Sequence, residues 1–165
     1  MGDLFQEILV KRNMSSTDQL KKYALIALIA LLTAAGIMIS VVFLLPALVL
    51  GIVSYLFLFP QFDLEYEYLY VNGEFDIDKI MNKSKRKRCA SYSIDKLEEM
   101  YPSSERTNQM VKQGVKVADY TSNDPQKPFW NLIFSQEQGR VLVKMELNEE
   151  IVKDVRRRAP GKVAR

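Results

Sequence analysis

The chain has 165 residues and a formal net charge of +3, with no histidine and a single cysteine, Cys89. The missing histidine removes the usual general base and the commonest zinc ligand together, and one cysteine excludes an internal disulfide and suits a reducing cytosol. The net charge is modest and informative only locally: residues 61–78 carry six acids and no base, whereas 79–88 carry six bases and no acid.

Residues 1–22 form a polar N-terminal segment. Leu4, Phe5, Ile8 and Leu9 fall at helical spacing, so the expectation is a short amphipathic interfacial helix or else a partly ordered tail. Ser16, Thr17 or Asp18 is placed to cap the helix that follows. Lys11, Arg12, Lys21 and Lys22 put this end in the cytoplasm by the positive-inside rule.

From Tyr23 to Phe62 there is no Asp, Glu, Lys or Arg over forty residues. One charge at a bilayer centre costs about 2.5 to 3.5 kcal/mol on insertion scales, so such a run marks a membrane segment. As one helix it would extend about 60 Å, twice the hydrocarbon thickness, so two spans are expected, about 23–40 and 45–60. The fold-back is placed between Ser40 and Pro46, with Pro46 in the first turn of the second helix. Ala27, Ala30 and Ala34 on the first span and Ala47, Gly51 and Ser54 on the second offer close packing. A signal peptide would stop after a shorter apolar core, and nothing else in the chain is apolar enough to bury the run in a soluble fold. A single span with a re-entrant segment is the remaining alternative.

Residues 61–165 make a soluble domain, cytoplasmic if the hairpin returns the chain to the side it left. Leu64, Tyr66, Tyr68 and Tyr70 alternate with Glu65, Glu67, Leu69 and Val71; Asn72-Gly73 then predicts a type I′ turn and Glu74–Ile80 a return strand. This register puts Tyr68, Tyr70, Phe75 and Ile77 on one face and Glu67, Glu74, Asp76 and Asp78 on the other. A metal on the acidic face is disfavoured, because one sheet face supplies no closed oxygen shell. Cross-strand pairing with the basic run in the next strand, about Lys85–Ile94, accounts for both clusters. Contact of that run with anionic headgroups is the competing use; nucleic acid is set aside for want of stacking aromatics or a binding fold.

Ile94–Tyr101 fits a strand or a helical turn ended by Pro102, and 103–114 a loop or short helix. Val115–Tyr120, Phe129–Ser135 and the alternating Val141, Val143, Met145 and Leu147 predict three more strands, with Trp130 in the core. The period then changes to helical over about 148–158, with Asn148 as N-cap, Ile151, Val152 and Val155 as the apolar stripe and Pro160-Gly161 as the stop.

Three stretches, LEYEYLYVNGEFDIDKI (64–80), YSIDKLEEM (92–100) and Phe129–Arg158 from FWNLIF to DVRRR, follow the membrane hairpin in an order that resembles bacterial pleckstrin-homology-like (PH-like) membrane proteins. It is also similar to a family of small two-span membrane proteins of Gram-positive bacteria. The resemblance implies an α+β membrane protein: an N-terminal transmembrane helical hairpin, then a PH-like antiparallel β-barrel or sandwich of five to seven strands capped by a C-terminal helix. It implies a non-enzymatic module with no cofactor, and it carries over no lipid specificity. The phosphoinositide-binding motif of eukaryotic relatives has no positional counterpart, because Lys85–Arg88 lies between the second and third strands.

The expected function is a multi-pass cell-membrane protein, both termini cytoplasmic, that presents the PH-like domain for protein interaction or scaffolding. The alternative is recognition of anionic lipid headgroups. Residues offered for lipid or partner contact are Lys83, Lys85, Arg86, Lys87, Arg88, Arg156, Arg157 and Arg158. No catalytic, cofactor or metal residue is assigned. The spans offer only Thr33, Ser40, Ser54 and Tyr55 as polar groups, which argues against an enzyme, channel or transporter within them.

Overall fold

A computed structural model describes residues 4–103, 115–137 and 139–164. The chain divides into two compact units, one of strands and the C-terminal helix, the other of residues 13–64 with 81–85.

The helical unit begins with α1, Ser16–Met38. Ser15 rather than a later residue is its N-cap, and the Ser15 side chain makes no capping bond. After Ile39 and Ser40 the chain turns through a 3₁₀ turn at Val41–Phe43 into α2, Leu44–Val53, which continues as a π-turn over Ser54–Leu58 and a 3₁₀ turn to Gln61. Ser16–Met38 and Val41–Gln61 are each long and apolar enough to cross a membrane. Both are longer than the spans expected from the uncharged run, the first because the helical hydrogen-bond ladder continues into the polar residues 16–22 and the second because the 3₁₀ turn at Val41–Phe43 leads directly into α2.

The two helices contact each other, and Leu25, Ile29, Leu32, Thr33 and Gly36 form a less exposed stripe on α1. Of the small residues expected to pack, Ala47 and Ser54 are buried and Gly51 half-buried, but Ala27, Ala30 and Ala34 face outward. Gly36 takes their role: a Cβ there would overlap the Leu44 side chain and lie 3.1 Å from Leu44 N. Hydroxyls within the apolar helices close on their own helix, Thr33 donating to Ile29 O (2.8 Å) and Ser54 to Leu50 O (2.6 Å), so neither leaves a bare donor.

The β unit holds two four-stranded sheets. The first has the order β1 (Phe5–Arg12), β2 (Leu64–Val71), β3 (Glu74–Met81), β4 (Lys85–Ser93). The expected N-terminal amphipathic helix is therefore a strand. Leu4, Phe5, Ile8 and Leu9 fit a helical stripe, yet so short a helix has little stability alone. As a strand the segment gains the free edge of β2 and buries Val10. Asn72 N–H donates to Leu4 O (3.3 Å) while Arg12 reaches the Tyr66 hydroxyl (2.9 Å), which fixes β1 antiparallel to β2. The whole helical hairpin is thus inserted into the β1–β2 connection.

Asn72 (φ 51°) and Gly73 (φ 99°) form the expected left-handed turn. Tyr68, Tyr70, Phe75 and Ile77 are completely buried, as their alternation requires. A 3₁₀ turn at Ile94–Lys96 leads into β5 (Leu97–Pro102), which settles the ambiguous stretch in favour of turn then strand. The second sheet has the order β5, β7 (Trp130–Gln136), β8 (Gly139–Met145), β6 (Lys116–Asp119). β5–β7 and β7–β8 are antiparallel, but β6 runs parallel to β8, a departure from the all-antiparallel expectation. Most of the expected loop or helix at 103–114 lies outside the described residues.

Helix α3 (Glu149–Arg158) buries Ile151, Val152 and Val155, and Asn148 caps it by accepting from Ile151 N–H (2.9 Å). The Asn148 amide also donates to Gln6 Oε1 (3.1 Å), tying the cap to β1. After the turn at Pro160-Gly161 the chain runs beside β5: Met100 N–H donates to Lys162 O (2.7 Å) and Ala164 N–H to Met100 O (2.8 Å). This covers part of an otherwise open sheet edge. It also explains why β7 and β8 bury both faces, since Tyr101, Ile133 and Leu142 form a second small cluster with Val115, Val117 and Ala164.

Candidate functional site

The strongest concentration of charge in the β unit is the acidic face of the first sheet. Alternation along β2 and β3 carries Glu67, Asp76 and Asp78 away from the tyrosine core, and β4 brings arginines beside them. Arg86 Nη2 lies 2.6 Å from Glu67 Oε1 and its Nη1 3.8 Å from Asp78; Arg88 lies 3.2 Å from Asp76 and 3.6 Å from Asp78. The cross-strand neutralisation expected from the two charge clusters is realised by these two arginines. Glu67 and Asp78 are nonetheless buried, and Glu67 Oε2 and Asp78 Oδ1 have no hydrogen-bond donor. Burial pushes the Glu67 carboxyl above the usual range; Arg86 opposes this, while Glu7 and Asp78 add to it. Among the described residues no three carboxylate or thiol groups converge as metal ligands.

A second charged group surrounds Asp154 on the buried side of α3. It accepts from the Tyr70 hydroxyl (2.6 Å) and from Arg158 Nε (2.7 Å), and is paired with Arg157. Burial alone would raise this carboxyl, but the bonds from Tyr70, Arg158 and Arg157 outweigh it and hold Asp154 below the usual range. Arg158 also reaches Asn72 in the β2–β3 turn (3.3 Å), so helix, turn and strand are joined through one carboxylate. Nothing in the sequence announces this, because Tyr70 and Asp154 are 84 residues apart.

The third polar group is aromatic. Arg12 donates to the Tyr66 hydroxyl and to Asp119 O (3.1 Å) and lies over the Tyr66 ring. Tyr66 meets Tyr120 edge-on, Tyr68 donates to Tyr120 O (2.5 Å), and Tyr92 stacks on Phe134. Burial raises the hydroxyl pKa of Tyr66, Tyr68, Tyr92 and Tyr120 and keeps these groups neutral. Desolvation likewise raises Cys89 despite Lys79 and Lys87 nearby, so this thiol is not an activated nucleophile.

The eight basic residues singled out by sequence are therefore not one surface. Arg86 and Arg88 are engaged on the sheet face, and Arg157 and Arg158 on Asp154. Arg156 is exposed beside Trp130, Leu147 and Val152 in a shallow groove, so Trp130 is half-buried at the rim of the core rather than inside it. Lys83, Lys85 and Lys87 are exposed. A more polar cleft of about 450 Å³ lies between the end of β4 and β7, lined by Glu74, Ser91, Ser93, Lys96 and Gln136, with no nucleophile and base at bonding distance.

No curated protein and no solved structure matches the chain. Two sheets and a C-terminal helix agree with a family model that matches the chain, that of a bacterial PH-like domain. That match covers residues 2–165, the apolar hairpin included, and the chain belongs to the bacterial PH-like domain family DUF6106.

Proposed function

We propose that this is a two-span membrane protein that holds its PH-like domain at the cytoplasmic face as a non-catalytic module for binding another protein. The observation that carries the proposal is topological. β1 and β2 are neighbours in one sheet, and the only chain between them is the apolar helical hairpin. A chain that enters the bilayer after Arg12 has to come back before Leu64 for that sheet to form, so the number of crossings is even. Hydropathy alone permits one span with a re-entrant piece; the strand pairing favours two. Lys11, Arg12, Lys21 and Lys22 orient the entry toward the cytoplasm, and the domain follows.

A non-catalytic role is supported by the family, since PH-like domains are generally not enzymes, and by the structural engagement of the core tyrosines and of several basic candidates. Tyrosines are neutral and hydrogen-bonded, and four of the eight basic candidates are bound to carboxylates. Surfaces left for a partner are the β4 edge with its neighbouring cleft and the exposed Arg156–Trp130 groove.

The test is cysteine accessibility in intact cells and in inside-out vesicles, using single cysteines at Ser40 and Lys153 in a Cys89→Ser background. A membrane-impermeant maleimide is expected to label Lys153→Cys only in inside-out vesicles, and Ser40→Cys from the opposite side. Labelling of Lys153→Cys in intact cells would refute the proposed topology.

A further inference from the structure

Two left-handed turns close successive hairpins of the first sheet. Asn72 and Gly73 join β2 to β3; Asn82 (φ 49°) and Lys83 (φ 53°) join β3 to β4, with Ser84 N–H donating to Met81 O at 3.2 Å. Both central residues of such a turn need positive φ, which glycine adopts freely and a lysine does not. The second turn therefore keeps a lysine where glycine would be easier, and local strain of this kind is a pointer to function.

The place of this turn supplies the reason. Met81–Lys85 belongs to the helical unit, and Asn82 N–H donates to Asp63 O (2.8 Å), just beyond the end of the second apolar segment. The first turns of α1, with Lys21 and Lys22, lie at this same charged end of the hairpin, as do Tyr23, Phe59 and Phe62. Aromatic and basic residues in this position mark the headgroup level. Lys21, Lys22, Lys83 and Lys85 outnumber the acids Asp18 and Asp63 there, and among the described residues only Lys21 of the four has a carboxylate partner, Asp18 at 3.9 Å. Lys22, Lys83 and Lys85 have no partner among the described residues, in contrast to Arg86 and Arg88 of the same basic run. The N-terminus of α1 adds its partial positive charge.

We infer that the β3–β4 turn is a lysine clamp that, with Lys22, takes the phosphate of anionic lipid headgroups at the base of the membrane hairpin. The clamp rests on the two-span reading. The basic run is thereby split between two roles, Arg86 and Arg88 holding the sheet while Lys83 and Lys85 face the lipid. A solvated turn would have no use for the strained lysine.

The test uses the full chain, extracted in neutral detergent micelles containing equal amounts of phosphatidylglycerol and phosphatidylcholine, with retained lipid counted by native mass spectrometry. The wild type is expected to retain phosphatidylglycerol preferentially. Lys83→Gly with Lys85→Gln is expected to weaken that retention about thirtyfold, while Lys153→Gln on α3 leaves it unchanged. Lys83→Gly alone is expected to raise the thermal midpoint while lowering lipid retention, a pair of effects that a purely structural lysine does not give. Unchanged retention in the double variant overturns the clamp, and so does full displacement of the lipid by excess inorganic phosphate, which would identify a free-anion site. Alkaline carbonate extraction of wild-type membranes separates the two layers. A chain that resists carbonate but shows no lysine-dependent retention loses only the clamp, whereas a chain that is released loses the membrane reading and the clamp with it.

Discussion

Asp154 and Glu67 are both buried carboxylates, yet their surroundings push them in opposite directions. Asp154 has two arginines and a tyrosine hydroxyl; Glu67 has one arginine and two carboxylate neighbours. Because the folded value of Asp154 lies below its ordinary 3.8, its stabilisation is present above that pH and is lost as pH falls through the lower folded value. Glu67 has the opposite sign: its raised folded value means a contribution present below the ordinary 4.5 and lost as pH rises through the folded value. Thermal stability of the full chain in detergent is therefore expected to rise as pH falls through the raised Glu67 value toward 4.5, then to drop at pH below about 4. Asp154→Asn is expected to remove the acid drop and to cost about 2 kcal/mol at neutral pH, by weakening charge-assisted bonds to Arg157 and Arg158. Glu67→Gln is expected to remove the rise. A calorimetric pH series on the three proteins checks both signs. The charge clusters themselves were legible at 61–78 and 79–88, and so was their pairing; Asp154 was not, because its partners come from distant elements.

Among the elements, the β2–β3 hairpin shows how far local chemistry reaches. Asn72-Gly73 and the alternating tyrosines specify turn, register and buried face together, and the fold obeys all three. α3 is equally local, with its charge gradient inside the ten residues of the helix and its cap and stop directly beside them. The helical hairpin is only half so. Its reversal follows from the uncharged run and Pro46, but which small residues meet depends on the rotation of one helix about the other. Alanines at 27, 30 and 34 and the glycine at 36 are equally small in sequence, and only Gly36 faces Leu44. Gly36→Val is accordingly expected to force α1 and α2 apart at the turn and destabilise the hairpin by about 1 to 3 kcal/mol, the usual range for overpacking. Ala30→Val, on an exposed face, is expected to be neutral. Unfolding of the two variants in detergent, followed by circular dichroism, distinguishes them; equal loss would show that the contact lies elsewhere.

At the scale of the molecule, the decisive feature is the insertion of the hairpin inside the β fold rather than ahead of it. A fragment starting at residue 61 lacks β1, and with it the Arg12 bonds to Tyr66 and Asp119, the Gln6 link to the α3 cap and the burial of Val10. Such a fragment is expected to aggregate or to remain partly unfolded. Replacing residues 13–63 by a short Asn-Gly-containing turn, so that β1 and β2 become an ordinary antiparallel hairpin, is expected to give a soluble, monomeric, cooperatively folding domain. Size-exclusion chromatography and thermal denaturation of the two proteins decide this. A well-folded 61–165 fragment would show that β1 is dispensable, and would weaken the topological case for two crossings.

By itself the sequence determined what depends on neighbours within a few turns: the uncharged run and its reversal, the tyrosine hairpin, the C-terminal helix and the division of charge along the chain. These are set by periodicity, turn stereochemistry and the cost of burying charge, all of which act locally. Tertiary structure alone decided that Phe5–Arg12 is a strand, that β6 runs parallel to β8, that the last residues run along β5, and which arginines are spent on carboxylates. Each of those outcomes is fixed by a hydrogen-bonding edge or a charge supplied from far along the chain, and a segment such as 5–12, with two acceptable periods, takes whichever one its partner completes.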